Sequence, residues 1–244
     1  MKNKVLIITQ KLPVYNLVLC LALVSVFMLS CNNDSEVLNQ EPVKELITID
    51  NLGQVHNYLL DKYEKSSLKS TLTSKTFGDV YNEFERILLE SEKYSTNSTI
   101  LSDLTDSEKL EILNKFADLK LDNNFQKEFK RRFITYFQSL QDIDADIKAD
   151  ILNTVNNYTL IDSPDDFENK RSYNLAIAYN NVYKSSMDYW GTNNKLKSVN
   201  ITENQAIIWA DAAGALIGLG CGGVMSILMG AATSNMIVEC YNME

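Results

Sequence analysis

The chain has 244 residues but a single histidine, His56, and only four arginines, Arg86, Arg131, Arg132 and Arg171. One imidazole removes most metal, triad and acid–base schemes that rely on that group. His56 lies beside Tyr58 and Leu59 in an expected helix, which reads as partial burial or a surface position rather than catalysis. There is no G-x-S-x-G, no Walker loop, no H-E-x-x-H and no C-x-x-C. Asp142, Asp144 and Asp146 spell D-x-D-x-D, but a calcium loop also needs glycine at its sixth position and glutamate at its twelfth. Ile147 and Asn153 stand there instead, so these aspartates read as a solvated helix face. The expectation is a non-enzymatic protein with no metal and no cofactor. Its net charge of −9 opposes binding to nucleic acid.

Lys2, Lys4 and Lys11 precede an apolar stretch from Leu17 to Leu29, and Met28-Leu29-Ser30-Cys31 closes it. A charged start, a short apolar core and a small residue before cleavage form a secretory signal. The cysteine directly after that small residue resembles the lipobox of bacterial lipoproteins, and the resemblance implies that Cys31 is the lipidated first residue of the mature chain. Removal of residues 1–30 takes away three lysines and no acid, leaving 20 basic against 32 acidic residues, net −12. Residues 31–41 are polar and read as a flexible tether. Asp34 and Glu36 resemble, in part, the surface-export signals of Bacteroidota lipoproteins, which implies an outer-membrane or cell-surface location, with release from the cell as a variant. Of four cysteines, Cys20 leaves with the signal and Cys31 takes lipid, so Cys221 and Cys240 remain. In one continuous helix they would stand ~28 Å apart at about 1.5 Å per residue. A disulfide would require the chain to fold back at Gly222-Gly223, so free thiols are expected.

Residues 42–190 read as amphipathic helices. Phe77, Val80, Tyr81, Phe84, Ile87 and Leu88 recur at three- and four-residue spacing. Thr105 and Glu108 form a capping box that opens a helix through Leu110, Leu113 and Phe116. Phe125, Phe129, Phe133 and Phe137 descend one face of the next helix, and Ile143, Ile147 and Ile151 mark another, followed by a break at Ser163-Pro164. Tyr173, Ala176, Ile177, Tyr183, Met187 and Trp190 predict a further helix, ended by Gly191. Strand-like alternation is scarce. The fold class expected is all-α: a helical body (42–190), a linker (191–204) and a glycine-rich apolar segment (205–244) forming a helix or helical hairpin.

That last segment carries the strongest signal. Ala206, Ala210, Gly214, Gly218, Gly222, Ser226, Gly230 and Ser234 are spaced by four, and no charge falls between Asp211 and Glu239. Six of the nine glycines lie between Gly214 and Gly230. Glycine costs a water-exposed helix about 1 kcal/mol relative to alanine, so a helix that accepts so many gains close backbone contact with a partner. Ala212 to Ala232 is long enough to span a bilayer core, with Trp209 and Tyr241 placed as an aromatic belt would be. The segment reads as a stable spanning helix, a buried central helix, or a helix stored in the soluble form and inserted later; the last is preferred. On one helix, Gly218→Leu would block packing between copies and leave secretion intact.

The stretch from Asp211 to Ser234 resembles the glycine-zipper helices of membrane-permeabilising bacteriocins. The whole layout resembles the lipoprotein toxins of gut Bacteroidales that arginine-specific proteases activate. The resemblance implies a lipidated antibacterial toxin acting on a lipid bilayer, with cleavage at Arg171 or Arg132, packing of copies through the face of Ala210, Gly214, Gly218, Gly222, Ser226 and Gly230, and, since the chain is acidic, a receptor on the target cell. The alternative is a non-catalytic surface or periplasmic lipoprotein that binds a ligand or an envelope partner.

Overall fold

Amphipathic periodicity in this chain becomes eight helices and two short strands among the residues that the computed structural model describes, namely 43–66, 75–192 and 201–243 apart from positions 101, 103, 142, 163, 165 and 166. The elements run β1 (Glu45–Ile47), α1 (Leu52–Lys65), α2 (Phe77–Leu89), β2 (Tyr94–Ser98), α3 (Asp106–Ala117), α4 (Phe125–Ser139), α5 (Ala145–Asn157), α6 (Lys170–Thr192), α7 (Ile201–Leu219) and α8 (Gly223–Asn242). The expected signal (1–30), lipidation site Cys31, tether (31–41), and most of the linker (191–204) lie outside the described residues. The all-α class holds, and of the two forms expected for the C-terminal segment, the hairpin is the one formed.

Local chemistry sets the helix boundaries. Thr105 accepts from the Glu108 amide while the Glu108 carboxylate reaches back to the Thr105 amide, and Thr76 with Asp79 forms the same box at the start of α2. Each cap satisfies amides that the helix leaves unpaired and is worth about 1 kcal/mol. The Asp79 carboxyl titrates below its ordinary range, because the Thr76 amide and hydroxyl both donate to it. Helix α5 ends on Tyr158 in the left-handed region, φ 52°.

The small sheet was not legible in the sequence. Strands β1 and β2 pair in parallel, Glu45 opposite Tyr94 and Ile47 opposite Ser98, with an irregularity between them. The alternation is absent because only Ile47 and Tyr94 are buried while the rest of β2 is solvated.

Helices α7 and α8 lie at the centre. They pack along each other; α6 lies against α7, α1 against α6 and α8, and α2 against α8, while α4 meets both arms. Residues Lys44–Glu244 form one compact unit, so the segment 205–244 is the middle of the helical body. Ile227, Leu228, Met229 and Ile237 are fully buried, each worth roughly 1.5–3 kcal/mol relative to exposure. The phenylalanine stripe of α4 meets the hairpin through Trp209, whose ring stands edge-on to Phe133 and Phe129 at 5.5 and 6.1 Å. Trp209 is fully buried and its Nε1 donates to Thr154 Oγ1 at 3.2 Å. It is a core residue here, as the stripe needs a large ring to fill the space between α4, α5 and α7.

Two stripes differ from expectation. On α3, Leu110 is exposed, and Phe116 alone of its stripe is buried. On α6 the buried face runs through Leu175, Tyr179, Val182, Ser186 and Tyr189, leaving Tyr173 and Met187 exposed. The expected set mixed two faces, because tyrosine and small residues are spread around this helix. Ile143, Ile147 and Ile151 are buried as expected, and Asp144 stands at the N-cap position of α5 without a side-chain capping hydrogen bond.

Candidate functional site

The glycine ladder does not run along one helix. The chain turns back at residues 220–222, where Gly222 has φ +105°, a conformation that side chains rarely adopt. The expected uninterrupted span from Ala212 to Ala232 is therefore corrected to two antiparallel arms. Gly214 and Gly218 of α7 and Gly230 of α8 face the backbone of the opposite arm, whereas Gly222 and Gly223 lie against Ile100 and Ser98. A Cβ at Gly218 would lie 2.4 Å from the Met225 carbonyl oxygen, and one at Gly214 would lie 2.5 Å from that of Met229. A Cβ at Gly230 would meet the Asp211 carbonyl oxygen at 2.8 Å. Ser226 Oγ completes the seam by donating to the Ala215 carbonyl at 2.7 Å. Ala210 is fully buried on α7. Thus the face expected to join separate copies is filled by the chain's own second arm.

Ser98, Ile100 and Ser102 strap the turn. Gly223 N donates to the Ile100 carbonyl at 3.2 Å, and Ser102 Oγ donates to the Gly220 carbonyl at 2.6 Å. Cys221 sits in this turn as a free, buried thiol, and burial pushes its pKa up to about 11, so it stays protonated and inert. Cys240 is likewise in no disulfide and lies at the far end of α8, where its Sγ donates to the Asp122 carbonyl.

A charged group holds the hairpin at its middle. Asp211, fully buried on α7, accepts from His56 Nε2 of α1 at 2.6 Å, and from Ser186 Oγ and Trp190 Nε1 of α6 at 2.6 and 2.9 Å. His56 is fully buried too, which corrects the expectation of a partly buried or surface residue. Its Nδ1 faces Asn57 Oδ1 at 3.0 Å. The amide orientation of Asn57 is fixed, because its Nδ2 donates to the Ser185 carbonyl at 2.9 Å. Both ring nitrogens therefore face acceptors, and the group that satisfies both is the doubly protonated imidazolium. The pKa agrees in direction: burial alone lowers it, but the Asp211 charge and the hydrogen bonds of Asp211 and Asn57 outweigh burial and raise it above 6.5. Sequence reasoning missed this cluster because its members are separated by 155, 25 and 21 positions. The one available signal was Asp211 itself, an acid at the edge of a charge-free run.

Histidine, serine and aspartate here do not make a nucleophile. The aspartate stands between the other two, so Ser186 gives its hydrogen bond to Asp211 rather than to His56. None of the three is exposed to solvent.

The two expected cleavage residues fall in helices. Arg132 lies inside α4, where it pairs with Asp118 and donates to the Lys115 carbonyl. Arg171 lies in the first turn of α6, its amide donating to Asn169 Oδ1 at 2.8 Å. The next residue, Ser172, is buried and its hydroxyl accepts from the Asp144 amide at 3.0 Å. Cleavage after Arg171 thus requires one helical turn to open, whereas at Arg132 it requires the middle of a helix to do so. Beside Arg171, against the hairpin turn, lies a cleft of about 370 Å³. Among the described residues no group of three or more His, Cys, Asp or Glu side chains could hold a metal ion.

No protein-family model matches the chain, and neither a curated protein nor a solved structure matches it.

Proposed function

We propose that this protein is a lipidated, secreted or surface-held antibacterial toxin that carries a membrane-active hairpin inside a coat of amphipathic helices. The observation that supports the reading is the hairpin itself: arms of 19 and 20 residues, no charge from Ala212 to Val238, and a position at the centre of the body. Helix α8 is long and apolar enough to cross a bilayer. Among the described residues, Asp211 is the fully buried charged residue of the hairpin, and it accepts hydrogen bonds from α1 and α6. Cleavage by an arginine-specific protease after Arg171 would separate α1–α5 from α6 and the hairpin, removing the His56 cation from Asp211. The glycine faces would then be open to a second copy or to the lipid bilayer, and a receptor on the target cell would supply the attraction that an acidic chain lacks.

The second reading, a non-catalytic surface lipoprotein with a ligand or envelope partner, has its own support. The seam between the arms is closely packed and the buried charge is fully partnered, as in a permanent core. Burial is common to both readings, so the distinguishing property is whether the hairpin leaves.

Dye leakage from vesicles, measured with the purified protein before and after limited cleavage by an arginine-specific protease, tests this. Leakage is expected only after cleavage, and Arg171→Ala is expected to remain uncut at that bond and silent. Vesicles that stay intact with fully cut protein would overturn the toxin reading and leave the binding lipoprotein.

A further inference from the structure

The cleft at the hairpin turn combines an apolar wall with a basic edge. Leu104, Leu140, Leu175, Leu216 and Leu219 supply an apolar wall drawn from four separate stretches of chain. At the rim stand Lys170 and Arg171, adjacent and exposed in the first turn of α6. No acidic side chain lines the cleft among the described residues, in a chain whose net charge is −9. A concave apolar surface with a few convergent polar groups is the usual form of a small-molecule site, and about 370 Å³ is at the small end of that class.

We infer that this cleft binds an anionic single-chain amphiphile, with its carboxylate or phosphate against Lys170 and Arg171 and its alkyl chain along the leucines. Two cations within one turn favour an anionic head, since a guanidinium and an ammonium give charge-assisted hydrogen bonds about twice as strong as neutral ones. The small volume favours one chain over two. The buried wall belongs to the hairpin (Leu216, Leu219) and to α6 (Leu175), while the opposite side is the strap that holds Gly220 through Ser102. An occupant therefore touches the turn of the hairpin directly. The inference does not depend on the toxin reading: it concerns the uncut protein and needs no movement of α7 or α8.

The test is calorimetric titration of the uncut protein with dodecanoate and with dodecanol, both below micelle-forming concentration, and separately with phosphatidylglycerol vesicles. Dodecanoate is expected to bind at one per chain and at least about tenfold more tightly than dodecanol, as the charge-assisted contacts require. The double variant K170A/R171A, altered only at exposed positions, is expected to keep its melting temperature and lose about tenfold in dodecanoate affinity. Leu104→Asp, at a half-buried wall position, is expected to weaken binding of both probes. Vesicle binding that K170A/R171A also weakens would assign the anion to a membrane lipid; dodecanoate binding with inert vesicles would assign it to a free amphiphile. Equal affinity for dodecanoate and dodecanol, unsaturable uptake of many molecules per chain, or full retention of affinity by K170A/R171A would overturn the inference.

Discussion

Gly218→Leu is expected to destabilise the folded protein by about 3 kcal/mol or more, since the added Cβ meets backbone rather than a side chain that can rotate away. That atom would stand 2.4 Å from the Met225 carbonyl oxygen and 2.6 Å from Ser226 Cα. Relief would require the two arms to separate along the seam, which would also stretch the Ser226–Ala215 hydrogen bond next to it. At roughly 2–4 °C per kcal/mol for a protein of this size, the melting temperature should fall by about 6–12 °C. Gly191→Ala makes a suitable control. No atom lies within 4 Å of the added Cβ there, in the last turn of α6, so the change should be neutral or raise stability by up to about 1 kcal/mol. Thermal unfolding of the two variants beside the parent decides the matter; an unchanged melting temperature for Gly218→Leu would refute the close seam. The variant also cannot separate secretion from killing, as a single exposed helix would have allowed, because residue 218 packs within the chain itself.

The second large effect concerns the buried pair. His56→Gln removes the cation that faces Asp211 and leaves a fully buried carboxylate supported by Ser186 and Trp190 alone. Breaking a buried pair from one side costs about 3–5 kcal/mol, or roughly 6–20 °C in melting temperature. The pair also carries a pH signature. His56 titrates above its ordinary 6.5 in the folded protein, because Asp211 outweighs the effect of burial. Between the unfolded and folded values the native state holds the extra proton, so stability falls as pH rises through that window. The contribution is complete below about pH 6.5, the unfolded imidazole value, and lost once pH passes the raised one. The other titratable groups near the pair are Tyr189 of α6, whose hydroxyl donates to Asp61 of α1 at 3.2 Å, and Glu64, one turn further along α1. Burial and these three acids, Asp211 included, hold the Tyr189 hydroxyl far above its usual range, so it stays neutral throughout. The parent should therefore lose melting temperature from pH 6.5 upward while His56→Gln shows a flatter profile. Matching slopes for the two proteins would mean that the imidazole is not charged in the fold.

Much of the architecture was legible along the chain. The phenylalanines of α4 and the isoleucines of α5 each define one face, and the Thr105–Glu108 box marks a helix start by itself. Helix α6 was legible as an element but not as a surface, since Tyr173 and Met187 share its spacing with residues that are buried. The glycine ladder was legible as a close-packing device and misleading about its partner. Spacing by four continues through Gly222 as though the helix did, yet Gly222 itself, at φ +105°, lets the chain reverse there. The His56–Asp211 contact was not legible, because a lone histidine in an amphipathic helix carries no sign of which distant acid it will meet. The cleft is likewise a product of assembly: Lys170 and Arg171 stand out in an acidic chain, but of the leucines that make their neighbourhood apolar only Leu175 is near them in sequence, and the others come from α7 and from residues 104 and 140.

A hairpin at the centre, formed from the last part of the chain, also sets the order in which this molecule can become structured. Helices α1 and α2 rest on α8, and α1 rests on α6. Until residues 223–242 have been made, α1 and α2 lack the α8 surface on which both rest. The core of the body is therefore incomplete until the last helix is present. A chain whose centre is its own final fifth has no dispensable C-terminus: truncation there would expose the apolar faces of α1, α2 and α6 together.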